Sequence, residues 1–203
     1  MILDFLFPKN CLGCGFVGFY LCSKCISKVG LILNFPNSRD ISVWRYDGVI
    51  RKAIVSLKYN FTHDLSSEIS ELASQSLTNI KFIPSCNVVL LPVPLQRDRL
   101  NWRGFNQTEV IGKKISKLMS WEFNTKILSK IKRTKTQVGL DRKSRQGNLN
   151  GSFFVNSQLL EPNKKYIIFD DVWTTGSTIG EIKKELGKFV DNSNIYSLTI
   201  ARG

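Results

Sequence analysis

A chain of 203 residues with 42% apolar side chains has the length of one ordinary domain plus a small appendage, and enough hydrophobic content for a real core, which excludes an intrinsically disordered polymer. No apolar run approaches the roughly 18 residues of a membrane-spanning helix, and the opening MILDFLFPKN carries an acid where a secretory signal carries cations, so a cytoplasmic protein without a transmembrane segment is expected. The 29 Lys+Arg against 16 Asp+Glu give a net charge of +13, which points to a polyanionic partner: nucleic acid, a phosphorylated substrate, or the anionic inner face of the cytoplasmic membrane as a peripheral site.

The first feature along the chain is cysteine spacing. Cys11 and Cys14 form one CxxC, Cys22 and Cys25 another, and seven residues separate the pairs. Four thiolates so close in sequence can surround one tetrahedral zinc, with no position left for a catalytic water. Gly13 and Gly15 let the first turn aim its amides at the sulfurs. The alternative, a redox or disulfide pair, is disfavoured in a reducing compartment. Cys86 stands alone before a strand and reads as a small buried residue, and His63, the only histidine, has no partner for a triad. Residues 1–38 are therefore expected to form a zinc-binding module, ending in the linker-like NFPNSRD, and residues 39–203 a second domain.

That second domain alternates helices and strands. Leu65, Ile69, Leu72 and Leu77 fall at helical spacing; NVVLLPVP at 87–94 is a continuous apolar strand closed by prolines; Ile111, Ile115 and Leu118 mark a helix face. YIIF at 166–169 is a buried strand, Ile179, Ile182, Leu186 and Phe189 a further helix face, and IYSLTI at 195–200 a last strand. Buried strands alternating with amphipathic helices predict an α/β domain with a mostly parallel sheet flanked by helices.

The stretch YIIFDDVWTTGST, 166–178, carries the chemistry. Strand 166–169 is expected to end at Asp170 and Asp171, which places both carboxylates outside the core, and a helix is expected to begin near Ser177 or Thr178. In open α/β sheets ligands bind at the carboxyl ends of strands. Thr174, Thr175, Gly176, Ser177 and Thr178 supply amides and hydroxyls at a helix N-terminus, a cradle for phosphate that needs no lysine. Ribose hydroxyls could donate to Asp170 and Asp171 while a 5′-phosphate takes the amides, so the natural ligand is a sugar phosphate. A Walker A loop is excluded by the missing Gly-Lys-Ser/Thr, and the paired aspartates of a receiver domain lie near the chain start.

This string resembles the phosphoribosyl pyrophosphate (PRPP) loop of type I phosphoribosyltransferases. LLPVPLQRDRLNWRGFNQTEVIGKKIS, RTKTQVGLDRKSRQGNLNGSFFV, RYDGVIRKAIVSLKY and the four cysteines after FLFP make the whole chain similar to the ComF family of competence-associated proteins, with RGFNQ the most diagnostic piece. The resemblance implies a type I phosphoribosyltransferase-like fold. It implies a loop facing pyrophosphate at Pro92, Val93, Pro94 and Arg97, a closing loop between Arg133 and Arg145, Mg²⁺ accompanying PRPP, and DNA-uptake partners such as a helicase. Trp173 departs from the pattern, standing where relatives carry a small aliphatic residue.

Two basic clusters complete the reading. Lys126, Lys130, Lys132, Arg133, Lys135, Arg142, Lys143 and Arg145 face a single acid, Asp141, between 126 and 150; Arg97, Arg99, Arg103, Lys113, Lys114 and Lys117 form the other. With Trp102, Phe105 and Trp173 nearby, this suits single-stranded DNA, whose phosphates meet cations and whose bases stack on rings. Arg103, Lys132, Arg133, Lys135, Arg142, Lys143 and Arg145 are the expected nucleic-acid contacts. Two functions follow. One is a competence protein handling incoming single-stranded DNA with a PRPP or ribose-phosphate pocket. The other is an active phosphoribosyltransferase with an acceptor the sequence does not identify.

Overall fold

The computed structural model describes residues 8–32, 39–59, 64–78, 80, 83–131 and 151–203. A short helix, α1 (Ser23–Ile26), belongs to the N-terminal knuckle. Then follow β1 (Asp40–Arg45), α2 (Gly48–Tyr59), α3 (Leu65–Leu77), β2 (Val88–Pro92), α4 (Arg97–Arg103), α5 (Gln107–Leu118), β3 (Glu122–Phe123), β4 (Leu128–Lys130), β5 (Phe153–Val155), β6 (Lys165–Trp173), α6 (Ser177–Leu186) and β7 (Ile195–Arg202). Five strands form one parallel sheet in the order β1-β7-β6-β2-β3, as expected for an α/β domain. Among the described residues no helix is long and apolar enough to cross a membrane.

Alternation along the central strands builds two cores, because successive strand side chains point to opposite faces. Leu90, Ile167, Phe169, Leu198 and Ile200 pack beneath α2, α3 and α5. Val89, Leu91, Tyr166, Ile168 and Ile195 face the other way, beneath Ile179, Ile182 and Leu186 of α6 and the β4–β5 hairpin. That hairpin, antiparallel with Leu128 opposite Val155, has no counterpart in the sequence reading. Each of its strands is three residues long, too short for a periodic signal.

Helix packing depends on small residues. Gly112 of α5 lies so near the sheet that a Cβ there would meet Leu90 at 3.0 Å and Phe169 at 3.1 Å. On the other side of α5, buried Ser66 and Ser70 of α3 let the helices approach, and the Lys114 ammonium donates to the hydroxyls of Ser66 at 2.8 Å and Ser67 at 2.6 Å.

The knuckle shares the first core. Cys11, Leu21, Cys22 and Val29 are buried together with Val49, Ile50 and Leu65. The Leu21 amide donates to Glu68 of α3 at 2.9 Å, and Lys9 pairs with Asp64 at 3.5 Å. Beyond the knuckle, residues 30–32 run antiparallel beside β1, with Ile32 N–H donating to the Val43 carbonyl and Arg45 N–H to that of Gly30.

Strand order fixes where a ligand can enter. From β2 the chain passes through α5 outward to β3; from β6 it passes through α6 in the opposite direction to β7. The carboxyl ends of β2 and β6 are neighbours whose connections diverge, which opens a crevice at that switch point.

Candidate functional site

The crevice joins the two segments singled out in sequence. Pro92 pairs with Phe169, and the Val93 amide donates to the Phe169 carbonyl at 2.9 Å. Here β2 ends but β6 continues, paired with β7 through Asp170 opposite Thr199 to Trp173 opposite Arg202. This corrects the expectation that the strand ends before the aspartates. Both lie within β6, and as consecutive strand residues they project to opposite faces.

Asp171 faces the helical core and is 5% exposed. Its Oδ2 accepts from Lys58 Nζ at 2.7 Å and from Gln107 Nε2 at 2.9 Å. Burial works against the charge of Lys58, but Asp171 beside it more than offsets this and holds the ammonium protonated. Asp171 thus anchors β6 to α2 and α5. The expectation that both carboxylates stand outside the core fails here because the ladder to β7 carries the strand past them.

Asp170 opens to the other face. Burial, reinforced by the neighbouring Asp171 charge, pushes its carboxyl up to about 7. It lines a cavity of about 20 Å³ together with Val172, Trp173, residues 174–178 and Ile179. Gly176 takes φ +74, and α6 starts at Ser177 as expected. The hydroxyls of Thr175 and Ser177 lie 2.7 Å apart. The cavity has room for roughly one water, and the Trp173 indole is part of its lining. A Cβ on Gly176 would meet that ring at 2.5 Å, and the Arg202 guanidinium stacks on it at 4.8 Å.

The RGFNQ segment explains how the crevice is held. Gly104 caps α4 in the left-handed region at φ 76, where a side chain is disfavoured. Asn106 caps α5 by accepting from Thr108 N–H at 3.2 Å, and donates to the Val93 carbonyl at 3.1 Å. Arg103 is 6% exposed and donates to Gln107 Oε1 at 2.6 Å, and Gln107 in turn holds Asp171. Arg103 was expected among the nucleic-acid contacts; it faces inward, as the first link of a chain to Asp171.

Pro92 and Val93 are buried. Neither proline has an N–H, and the Val93 amide is engaged by Phe169. An anion meeting this segment therefore finds its donors beyond it. Arg97 is exposed and lines a cavity of about 480 Å³ with Leu95, Gln96, Asp98, Leu100, Lys130 and Ile131. Burial, together with the Arg99 charge, lowers the affinity of Lys130 for its proton, while Asp170 opposes this. Lys132, Arg133, Lys135, Arg142, Lys143 and Arg145 lie outside the described residues, as does His63. Cys86, expected to be buried, is exposed.

At the knuckle, the sulfurs of Cys11, Cys14, Cys22 and Cys25 all lie within 4.8 Å of one another. Two of the separations are 3.5 Å (Cys11–Cys22) and 3.6 Å (Cys14–Cys22). Zn–S bonds of about 2.3 Å in a tetrahedron imply sulfur–sulfur edges of about 3.8 Å, whereas a disulfide needs about 2.05 Å. The cluster fits a tetrahedral metal ion, and no two of its sulfurs are bonded to each other. Gly13 makes the approach possible: its amide points at Cys11 Sγ, 3.4 Å away, and a Cβ there would meet Cys25 Sγ at 2.5 Å. Burial works to raise the Cys11 thiol, but amides of Cys22, Cys14 and Gly13 outweigh it and bring it down to about 6. Burial and the other thiols push Cys25 up to about 12. Four such groups ionise together only around a cation.

Lys58 and Gln107 are the site residues that sequence reasoning missed, and Lys130 was legible only as one member of a basic cluster. Gln107 had a signal in RGFNQ, while Lys58 reads as an ordinary helix-terminal lysine.

These features define the class: an α/β domain with a parallel five-stranded sheet, a crevice at its switch point and a four-thiol knuckle packed on one face. No protein-family model matches the chain. Among curated proteins, Competence protein F of Haemophilus influenzae is 35% identical over 114 residues, 55% of this chain and 50% of the relative, so the chain spans about half that relative's length. DNA utilization protein YhgH of Escherichia coli K12 is 26% identical over 167 residues, 81% of this chain and 70% of the relative. YhgH of Salmonella typhimurium is 25% identical over the same proportions. The chain is thus a homologue of Competence protein F and of the YhgH proteins, as the motif resemblance implied.

Proposed function

We propose that this protein handles single-stranded DNA during DNA uptake and carries a pocket for PRPP or a ribose 5-phosphate at the β6–α6 turn. The names of its homologues, competence and DNA utilization proteins, support a role in DNA uptake. The observation that carries the pocket is the turn itself: Asp170 and the amides and hydroxyls of 174–178 meet at the switch point of a parallel sheet. With the Trp173 indole displaced from the turn, Asp170 would take the ribose hydroxyls, the α6 N-terminus the 5′-phosphate, and Arg97 with Lys130 the pyrophosphate, with Mg²⁺ accompanying PRPP. The excess of positive charge, +13, supports a DNA partner. Exposed Arg97 and Arg99, and Lys132, Arg133, Lys135, Arg142, Lys143 and Arg145 in the sequence, supply its phosphate contacts. A helicase of the uptake machinery is the natural protein partner, in the cytoplasm or at the inner membrane face.

The second reading, an active phosphoribosyltransferase, is favoured by Asp170 itself. A carboxyl that titrates near neutral pH beside a phosphate cradle is suited to proton transfer as well as to binding.

The test is paired titration of the zinc-loaded protein with single-stranded DNA and with PRPP–Mg²⁺, each in the presence of the other. Neutralising about five phosphates gives a log–log salt slope of about −3.5 on single strands. A flat salt response, or equal affinity for duplex, overturns the DNA reading, and absence of PRPP binding overturns the pocket. Pyrophosphate release with a base or amine acceptor decides for the transferase.

A further inference from the structure

One surface beside the crevice is built from aromatic rings. Tyr59, the last residue of α2, and Trp102 of α4 are 55% and 59% exposed, with ring centroids 6.0 Å apart and planes tilted by 60°. Scattered exposed apolar residues are ordinary; two adjoining rings backed by cations are not scattered. The Arg103 guanidinium lies over the Tyr59 ring at 5.7 Å, and its Nε is buried without a hydrogen-bond partner among the described residues. Arg99 stands three residues before Trp102, on the same side of α4. Its charge is felt by Arg103 on one side and by Lys130 on the other. Arg97 of the same helix lines the neighbouring cavity with Lys130.

We infer that Tyr59 and Trp102 form a stacking platform for a nucleobase of single-stranded nucleic acid, with Arg99 taking the adjoining phosphate. This rests on the DNA-handling function proposed above and names the surface that would carry it. A tilted aromatic pair offers one ring face and one ring edge, so a planar base can stack on the indole while touching the phenol. Such stacking is tolerant of sequence, since every base has a π face. A purely apolar partner would be poorly matched to a platform flanked by Arg99 and underlain by Arg103, whereas a base attached to a phosphate satisfies rings and cations together. The platform also connects to the crevice. Arg103, against Tyr59, holds Gln107, which holds Asp171, while Lys58, next to Tyr59 in sequence, pairs with the same carboxylate.

The experiment uses the full-length, zinc-loaded protein and two labelled probes of equal length: an oligothymidylate and an abasic deoxyribose-phosphate oligomer. Their affinities are read by fluorescence anisotropy at low salt. Trp102→Ala should weaken oligothymidylate by about tenfold, within the range of one stacked base, and leave the abasic oligomer unchanged. Trp102→Phe should keep most of the affinity. Oligothymidylate should also quench the wild-type tryptophan emission, and in Trp102→Phe most of that quenching should vanish. Trp102 is exposed, so truncation is not expected to unfold the chain, and far-ultraviolet circular dichroism checks this. If oligothymidylate binds the wild type and Trp102→Ala equally, without quenching Trp102, the platform is overturned while DNA handling stands; equal losses for both probes overturn it in the same way. If the wild type binds neither probe, the functional reading falls together with it.

Discussion

Replacing Asp171 by Asn separates an anchoring role from a ligand-binding one. The structure gives Asp171 two partners, Lys58 Nζ at 2.7 Å and Gln107 Nε2 at 2.9 Å, in a place where its side chain is 7% exposed and that of Lys58 21%. Asn keeps a hydrogen-bond acceptor but leaves the Lys58 ammonium without its counter-charge. Removing one partner of a buried pair costs about 3–5 kcal/mol. The low end, about 3 kcal/mol, applies here because Lys58 retains some solvent and Asp170 remains close. For a domain of this size, each kcal/mol moves the midpoint by about 2–4 °C, so Asp171→Asn should lower Tm by about 6–12 °C in calorimetry at pH 7. Adding Lys58→Met should recover part of that loss, because the stranded charge is gone. A fall of less than about 2 °C, or a double variant worse than the sum of its parts, would refute the view of Asp171 as an anchor.

Asp170→Asn should behave in the opposite way. Its carboxyl titrates near 7 in the fold against about 3.9 in the unfolded chain, so the folded state binds the extra proton. The stability this gives is full below about pH 4 and is lost as pH rises through about 7. The variant should match wild type at pH 4 and exceed it in Tm at pH 7.5; thermal melts across that window check the sign. Cys11→Ser should lose bound metal in elemental analysis and lower Tm, since Cys11 and Cys22 are buried in the core shared with α2 and α3. Gly176→Ala should strain the cradle, because φ +74 disfavours a side chain and the new Cβ would press on the Trp173 ring 2.5 Å away; PRPP titration should show weakened binding. Thr175→Val should weaken PRPP about tenfold, the loss of one hydrogen bond to a charged group.

Sequence alone determined the class of fold, since buried strands such as 166–169 and helix faces such as Ile179, Ile182 and Leu186 are short-range periodic signals that packing obeyed. The four-thiol knuckle was legible for a similar reason: two CxxC pairs bring sulfurs together through local turns, helped by Gly13. The helix start at Ser177 followed from the glycine before it. What sequence left undecided were the directions of side chains and the partners they meet far along the chain. Two adjacent aspartates look like one functional pair, yet the ladder to β7 carries the strand through them and turns them to opposite faces. Lys58 and Gln107 reach Asp171 across 113 and 64 positions, and neither distance leaves a periodic trace. Arg103 reads as a surface cation in any list of basic residues. Only the tertiary structure shows it turned inward, because Gly104 reverses the chain after α4 and brings Gln107 within reach of its guanidinium.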